Sequence, residues 1–232
     1  DYVDLLLAQQ VSGVIFLGGN YTEATAPHDH YERLRRVKMP TVVVSAPVPG
    51  TGFAAVSTDD TAAAEQAVMH LRQLGHERIG LLLGPTAHQP SMRKLDGARA
   101  VLERHGASLD AELVHHGLYS IESGQAGASR LIAAGATGIV CASDPLALGA
   151  IRAARRAGLS VPADVSIVGF DDSALMSFTE PPLTTVRQPI DAMGRAVIDV
   201  LMGQIAGTME PGDELLFEPE LVLRGSTGPA AK

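Results

Sequence analysis

The feature that most limits how this chain can fold is an alternation between short apolar runs and longer segments of helical period. The apolar runs are largely continuous, which is typical of parallel strands that are covered on both faces. They predict strands at residues 14–17, 41–44, 79–83, 138–141 and 166–169. Strands that alternate with helices along a chain favour a doubly wound α/β fold.

The segments between the predicted strands carry apolar side chains that recur every three or four positions. Three of these segments end just before a glycine, at Gly75, Gly106 and Gly158, and glycine is the usual residue just past the end of a helix. A fourth apolar stripe begins at Ile190 and ends at Leu201. We therefore expect these four segments to form helices.

Composition argues against several classes of function. The 232 residues carry a formal net charge of −8, so the chain has no electrostatic footprint for nucleic acid or an anionic membrane. The single cysteine, Cys141, cannot form an internal disulfide and is expected to be a small core residue in a reducing compartment. Because no apolar run is long enough to span a bilayer, we expect a cytoplasmic protein without a membrane partner.

The sequence also lacks the short motifs of common enzymes. It contains no nucleophile elbow, no phosphate-binding loop and no dinucleotide-binding glycine pattern. The histidine pairs His28 and His30, and His115 and His116, do not have the helical spacing of a zinc site. We therefore predict no catalytic residues, no cofactor and no metal.

Small and polar residues follow the predicted strands, where ligands bind in open α/β sheets. These residues are Gly18 and Gly19, Ser45, Gly84, Ser143 and Asp144, and Asp171 and Asp172. Serine and aspartate at such positions also cap the helix that follows, and we expect Asp144 to be a cap of this kind. For the pair Asp171 and Asp172, we expect one carboxylate to tie the loop and the other to face a ligand.

Several segments together resemble the effector-binding core of the LacI/GalR family of transcription regulators. The most specific are VPADVSIVGFDD at 161–172 and PPLTTVRQP at 181–189, and further matches lie at 70–85, 93–106 and 221–227. The resemblance implies two α/β lobes joined by three crossovers, with an effector in the cleft. It assigns residues 1–57 plus 189–207 to an N-terminal lobe and 58–187 plus 215–232 to a C-terminal lobe.

The resemblance also implies parts that this chain does not show. Family members begin with a DNA-binding headpiece, followed by a first strand and helix of the core. The sequence has no basic helix-turn-helix pattern, so operator DNA is expected to be bound only through a headpiece absent from this chain. PPLTTVRQP is expected to be an extended crossing between the lobes, because proline restricts the backbone.

The family's effector site carries over to six positions: Asp171, Tyr119, Lys94, Ser143, Ser45 and Ile190. By the resemblance, Asp171 would accept hydrogen bonds from ligand hydroxyls, whereas Asp172 would tie the crossover. Tyr119 would stack on a ring, although a half-buried surface tyrosine is the alternative. Lys94 stands where many members have arginine and lacks the planar fork that binds two oxygens at once.

Two of the remaining three positions are less polar than is common in the family. Ser143 stands where asparagine is frequent, and Ser45 replaces a frequent aspartate or asparagine. Ile190 would close the pocket from the returning helix. The set suits a neutral or mildly anionic polyhydroxylated effector, a monosaccharide or its phosphate, although a purine remains an alternative.

The resemblance implies a homodimer, since a palindromic operator requires two-fold symmetry. Leu148 and Phe178 are the predicted interface residues, with burial in the core of the same chain as the alternative. The predicted function is that of a transcription regulator core. A stand-alone solute-binding protein of a transport system, built from the same lobes, is the second hypothesis.

Overall fold

The computed structural model describes residues 2–210 and 212–230, and it is an α/β structure throughout. The strands are β1 Val14–Leu17, β2 Thr41–Val44, β3 Ala54–Thr58, β4 Ile79–Leu83, β5 Val114–His116, β6 Gly138–Cys141, β7 Ser166–Asp171, β8 Thr184–Arg187, β9 Glu214–Phe217 and β10 Glu220–Val222. The helices are α1 Tyr2–Ala8, α2 Asp29–Arg36, α3 Asp60–Gln73, α4 Gln89–Arg104, α5 Ile121–Ala133, α6 Asp144–Arg156 and α7 Ile190–Ile205. No helix among these described residues is long and apolar enough to cross a membrane.

The chain divides into two units. Unit 1 comprises the residues up to 59 together with 87–90 and 189–217, and unit 2 comprises 60–86, 91–188 and the residues from 218 onward. Each unit has its own sheet and its own buried core.

The sheet of unit 1 has the order β1-β2-β3-β9, and its strands are parallel. Its side chains alternate between two cores, as the period of two in a strand requires. Val42 packs on one face against Met193 and Leu201 of α7, while Val43 packs on the other face with Leu34 of α2. Burial on both faces explains the continuous apolar run of β2.

The sheet of unit 2 has the order β10-β8-β7-β6-β4-β5. Its strands are parallel except for the edge pair β8 and β10, which is antiparallel. Helices α3, α5 and α6 pack against this sheet around a single large apolar cluster. Cys141, in β6, is 1% exposed within this cluster, which confirms its expected place in the core.

The predicted strands 14–17, 41–44, 79–83 and 138–141 are confirmed with the same bounds, and the fifth extends through Asp171. The glycines predicted to end three helices each lie two residues after the last helical residue and have a positive φ. They are Gly75 after α3, Gly106 after α4 and Gly158 after α6. The strand within PPLTTVRQP was not predicted: residues 184–187 form β8 and pair with β7 and β10 in the sheet of unit 2. Two threonines made this strand look polar, and both are buried.

Candidate functional site

The strands β4, β6 and β7 are parallel neighbours, so their carboxyl ends lie together at one end of the strands in the sheet of unit 2. At the end of β7, Asp171 has a φ of 113° and Asp172 a φ of 57°. Positive φ is uncommon for residues other than glycine, and such strained backbone is concentrated at functional sites. The backbone itself therefore marks this strand end as a candidate site.

Asp171 is half-buried, and its Oδ1 accepts a hydrogen bond from Gln188 Nε2 at 2.7 Å. Burial raises the pKa of this carboxyl to about 6, and the nearby charge of Asp144 adds to the effect. The Gln188 hydrogen bond and the charge of Lys94 act in the opposite direction without cancelling it. The folded chain thus holds a carboxylate in surroundings that disfavour its charge.

Asp172 has a different role from its neighbour. Its Oδ2 accepts from Arg187 Nε of β8 at 2.7 Å, and its Oδ1 lies 2.6 Å from Arg224 Nη2. The side chain is only 6% exposed. Asp172 therefore ties the end of β7 to β8 and to the C-terminal segment, which confirms the tying role expected for it.

Lys94 lies on α4, and its environment differs from that of a cation exposed for a ligand. Its ammonium group forms a buried ion pair with Asp60, the first residue of α3, and lies 3.7 Å from the centre of the Phe170 ring. The two charged side chains are 7% and 6% exposed. Sequence reasoning missed Asp60 because an acid in the first turn of a helix is ordinarily a surface residue that favours the helix dipole.

The helix that follows β6 is capped by Ser143 and not by Asp144, while the predicted effector contact of Ser143 stays a prediction. Ser143 is the N-cap of α6, and its hydroxyl accepts from the backbone N–H of Leu146 at 3.3 Å. The prediction that Asp144 caps the helix was wrong. Proline at position 145 and the strand-like backbone of Ser143 place the cap one residue earlier than expected.

Asp144 is instead fully buried against the sheet. Its carboxylate accepts three hydrogen bonds, from the N–H and the hydroxyl of Ser173 at 2.7 and 2.8 Å and from the Thr185 hydroxyl at 2.7 Å. Burial raises the pKa of Asp144 in spite of these donors. Gly169 is required beside it, because an added Cβ there would lie 2.7 Å from Asp144 Oδ1. Asp144 thus fixes the loop that follows Asp172.

Tyr119 lies over the end of β4. Its hydroxyl shares a hydrogen bond of 2.9 Å with Ser91 Oγ, and its side chain remains 38% exposed. The ring rests directly on Gly84, where an added Cβ would lie 2.2 Å from the phenol carbon and oxygen. The glycine after the strand is thus the signal in the sequence for this contact, whereas Ser91 carried no such signal.

The other two predicted effector contacts belong to unit 1. Ser45 follows β2 with a φ of 83°, so a second strand end carries a strained residue other than glycine. Nearby, the Tyr21 hydroxyl accepts from Gly18 N–H at 2.7 Å and lies 2.5 Å from the Val44 carbonyl oxygen, which fixes the ends of β1 and β2. Ile190 begins α7 and is 64% exposed. The roles of Ser45 and Ile190 in binding stay predictions.

The two predicted interface residues differ in burial. Phe178, in the loop between β7 and β8, is 83% exposed, whereas Leu148 on α6 is partly buried against the core of unit 2. In the described ranges 2–210 and 212–230 no cluster of three or more histidine, cysteine or acidic side chains could hold a metal ion.

The comparisons with known proteins agree with one another. The family described as the periplasmic binding protein-like domain matches residues 68–227. The HTH-type transcriptional regulator MalR of Streptomyces coelicolor is 49% identical over 234 residues, which cover 99% of this chain and 68% of that protein. The HTH-type transcriptional repressor CytR of Escherichia coli strain K12 is 34% identical over 97% of this chain and 65% of its own length.

Solved structures lead to the same family. The complex of the transcriptional regulator CelR with cellobiose has a TM-score of 0.89 and 32% identity, and the match covers 97% of this chain and 68% of that one. A LacI family transcriptional regulator from Mycobacterium smegmatis has a TM-score of 0.88 and 30% identity over 99% of this chain and 83% of its own. This chain belongs to the LacI family of transcriptional regulators. Its two units accordingly have the fold of the family's effector-binding domain, which is related to type I periplasmic binding proteins.

Proposed function

We propose that this chain is the effector-binding core of a LacI-type regulator that responds to a small sugar-like molecule. The observation that carries the proposal is Asp171, a strained and half-buried carboxylate at a strand end. A carboxylate held in such surroundings gains most from a ligand that donates hydroxyl groups to it, because hydrogen bonds to an ionised group are stronger than those between neutral groups. Tyr119 supports the same proposal, since it offers a partly exposed ring at the same end of the strands.

The regulatory half of the proposal rests on the relatives. MalR and CytR are named as HTH-type regulators and extend beyond the part that this chain matches. We expect a DNA-binding segment in addition to this core, and the effector to change its affinity for operator DNA in the cytoplasm. An effector can do so only by differential affinity for two states of the protein. The same relatives favour a regulator over a solute-binding protein of a transport system.

A homodimer is part of this proposal. Phe178 is proposed as an interface contact because its large apolar side chain is 83% exposed, and a partner that covered it would remove this apolar surface from water. Leu148 is proposed as a second contact.

Calorimetric titration tests the effector site. The chain is titrated with neutral mono- and disaccharides, including ribose and cellobiose, and with purines as the alternative ligand class. For a sugar that binds, Asp171→Ala should weaken binding by roughly 1.5–3 kcal/mol or more, which is the loss expected for hydrogen bonds to a charged group. Asp199→Ala, which removes an exposed carboxylate on α7, is the matched control and should leave affinity unchanged. Equal affinity of the Asp171 variant and the wild type would remove Asp171 from the site.

A further inference from the structure

Acidic side chains outnumber basic ones in the cluster around Asp171 at the strand ends of unit 2. Three acids, Asp60, Asp144 and Asp171, interact electrostatically there, and Lys94 is the cation that acts on Asp171. The positive charge of Lys94 is already compensated by the carboxylate of Asp60 in their buried ion pair. The cluster therefore has a net negative charge when Asp171 is ionised.

The two arginines near the same strand ends are also occupied in the described part of the chain. Arg187 pairs with Asp172 and with Glu220, and Arg224 pairs with Asp172. A phosphate group that approached these strand ends would meet paired cations and the carboxylate of Asp171. Neutral hydroxyl groups can donate to that carboxylate, whereas a phosphate dianion would be repelled by it.

We propose that Asp60 determines the charge specificity of the effector site, because its pairing with Lys94 makes the site select neutral polyhydroxylated ligands over their phosphate esters. This inference rests on the proposed function and narrows its ligand class. Phe170 contributes by holding the Lys94 ammonium against its ring, within reach of Asp60. Without the Asp60 charge, the flexible lysine side chain would have an uncompensated charge to offer to a phosphate.

The first test uses the wild-type chain. Each neutral sugar that binds by calorimetry is compared with its phosphate monoester, for example ribose with ribose 5-phosphate and glucose with glucose 6-phosphate. The ester should bind at least about tenfold more weakly, as expected when like charges are brought together. Equal or tighter binding of the ester would overturn the inference while leaving the proposed function intact. Binding of neither sugars nor esters would instead overturn the proposed function.

The second test uses two variants. Asp60→Asn keeps the shape of the side chain and removes its charge, so the preference for the neutral sugar should fall by about tenfold or more. The double variant Asp60→Asn with Lys94→Gln removes both charges and should return the preference toward the wild-type value. A preference that is the same in all three proteins would overturn the role of Asp60. If Asp60→Asn does not fold, the single variant Lys94→Gln leaves the charge of Asp60 without its cation, so the preference for the neutral sugar should rise above the wild-type value. An unchanged preference in that variant would overturn the role of the pair.

Discussion

Replacing Asp171 by asparagine should stabilise the folded chain near neutral pH while it weakens effector binding. Asparagine keeps the shape of the side chain and an oxygen that can accept the hydrogen bond from Gln188. It also tolerates the left-handed backbone at this position, where φ is 113°. The change therefore removes the charge and little else. A gain in stability with a loss of binding is expected where a site holds a group in unfavourable surroundings for function.

The magnitude follows from the pKa of the Asp171 carboxyl, which burial raises from 3.8 to about 6. Between about pH 4 and pH 6 the folded chain binds this proton more tightly than the unfolded chain does, so the free energy of unfolding falls as the pH rises. Above pH 6 the whole penalty is present, on the order of 2–3 kcal/mol. The asparagine side chain cannot ionise and has no such penalty. The variant should thus exceed the wild type by about this amount at pH 7 and by almost nothing at pH 4.

Urea denaturation of both proteins between pH 4 and pH 8 measures the difference. Burial lowers the pKa of His70, His76 and His115, so the folded chain loses stability as the pH falls below 6.5. These histidines are present in both proteins, and their contribution cancels in the comparison at each pH. A difference that does not change with pH, or an asparagine variant that is less stable at pH 7, would refute this account of Asp171.

Three further changes test other parts of the structure. Lys94→Met and Asp60→Asn should each destabilise the chain by roughly 3–5 kcal/mol, because removing one partner leaves a buried charge without the other. The protein that carries both of these changes should lose less than the sum, and strictly additive losses in urea denaturation would contradict the ion pair. Phe178→Ser should weaken a dimer of the intact protein in sedimentation equilibrium and leave its far-UV circular dichroism unchanged, because the side chain is 83% exposed. A wild type that is only monomeric at micromolar concentration would refute the predicted interface. Gly84→Ala should displace Tyr119 and reduce effector affinity in calorimetry, since the added Cβ would lie 2.2 Å from the phenol group. Gly194→Ala on α7 is the control, because a Cβ added there would have no neighbouring atom within 4 Å. Equal affinity in both variants would show that Tyr119 is not a ligand contact.

The elements that are most local in origin were the easiest to predict from the sequence. Strands buried on both faces leave a continuous apolar run, and helices leave a stripe with a period near 3.6, so both can be recognised without tertiary information. Strands β3, β5, β8 and β9 were missed because they are short or carry polar residues. In β8, for example, Thr184 and Thr185 are buried, and their hydroxyl groups find hydrogen-bond partners in Thr227 and Asp144, which lie far away in the sequence.

The sequence by itself determined the α/β class, the family and the strand end at which Asp171 and Asp172 lie, since these depend on local patterns and on motifs in one stretch of chain. Only the tertiary structure decided which partner each polar side chain has. Lys94 pairs with Asp60 from 34 residues away, Asp144 accepts from Thr185 instead of capping its own helix, and Tyr119 rests on Gly84. The physical reason is that a buried charge or hydroxyl needs a partner, and the packing of distant elements determines which partner is within reach.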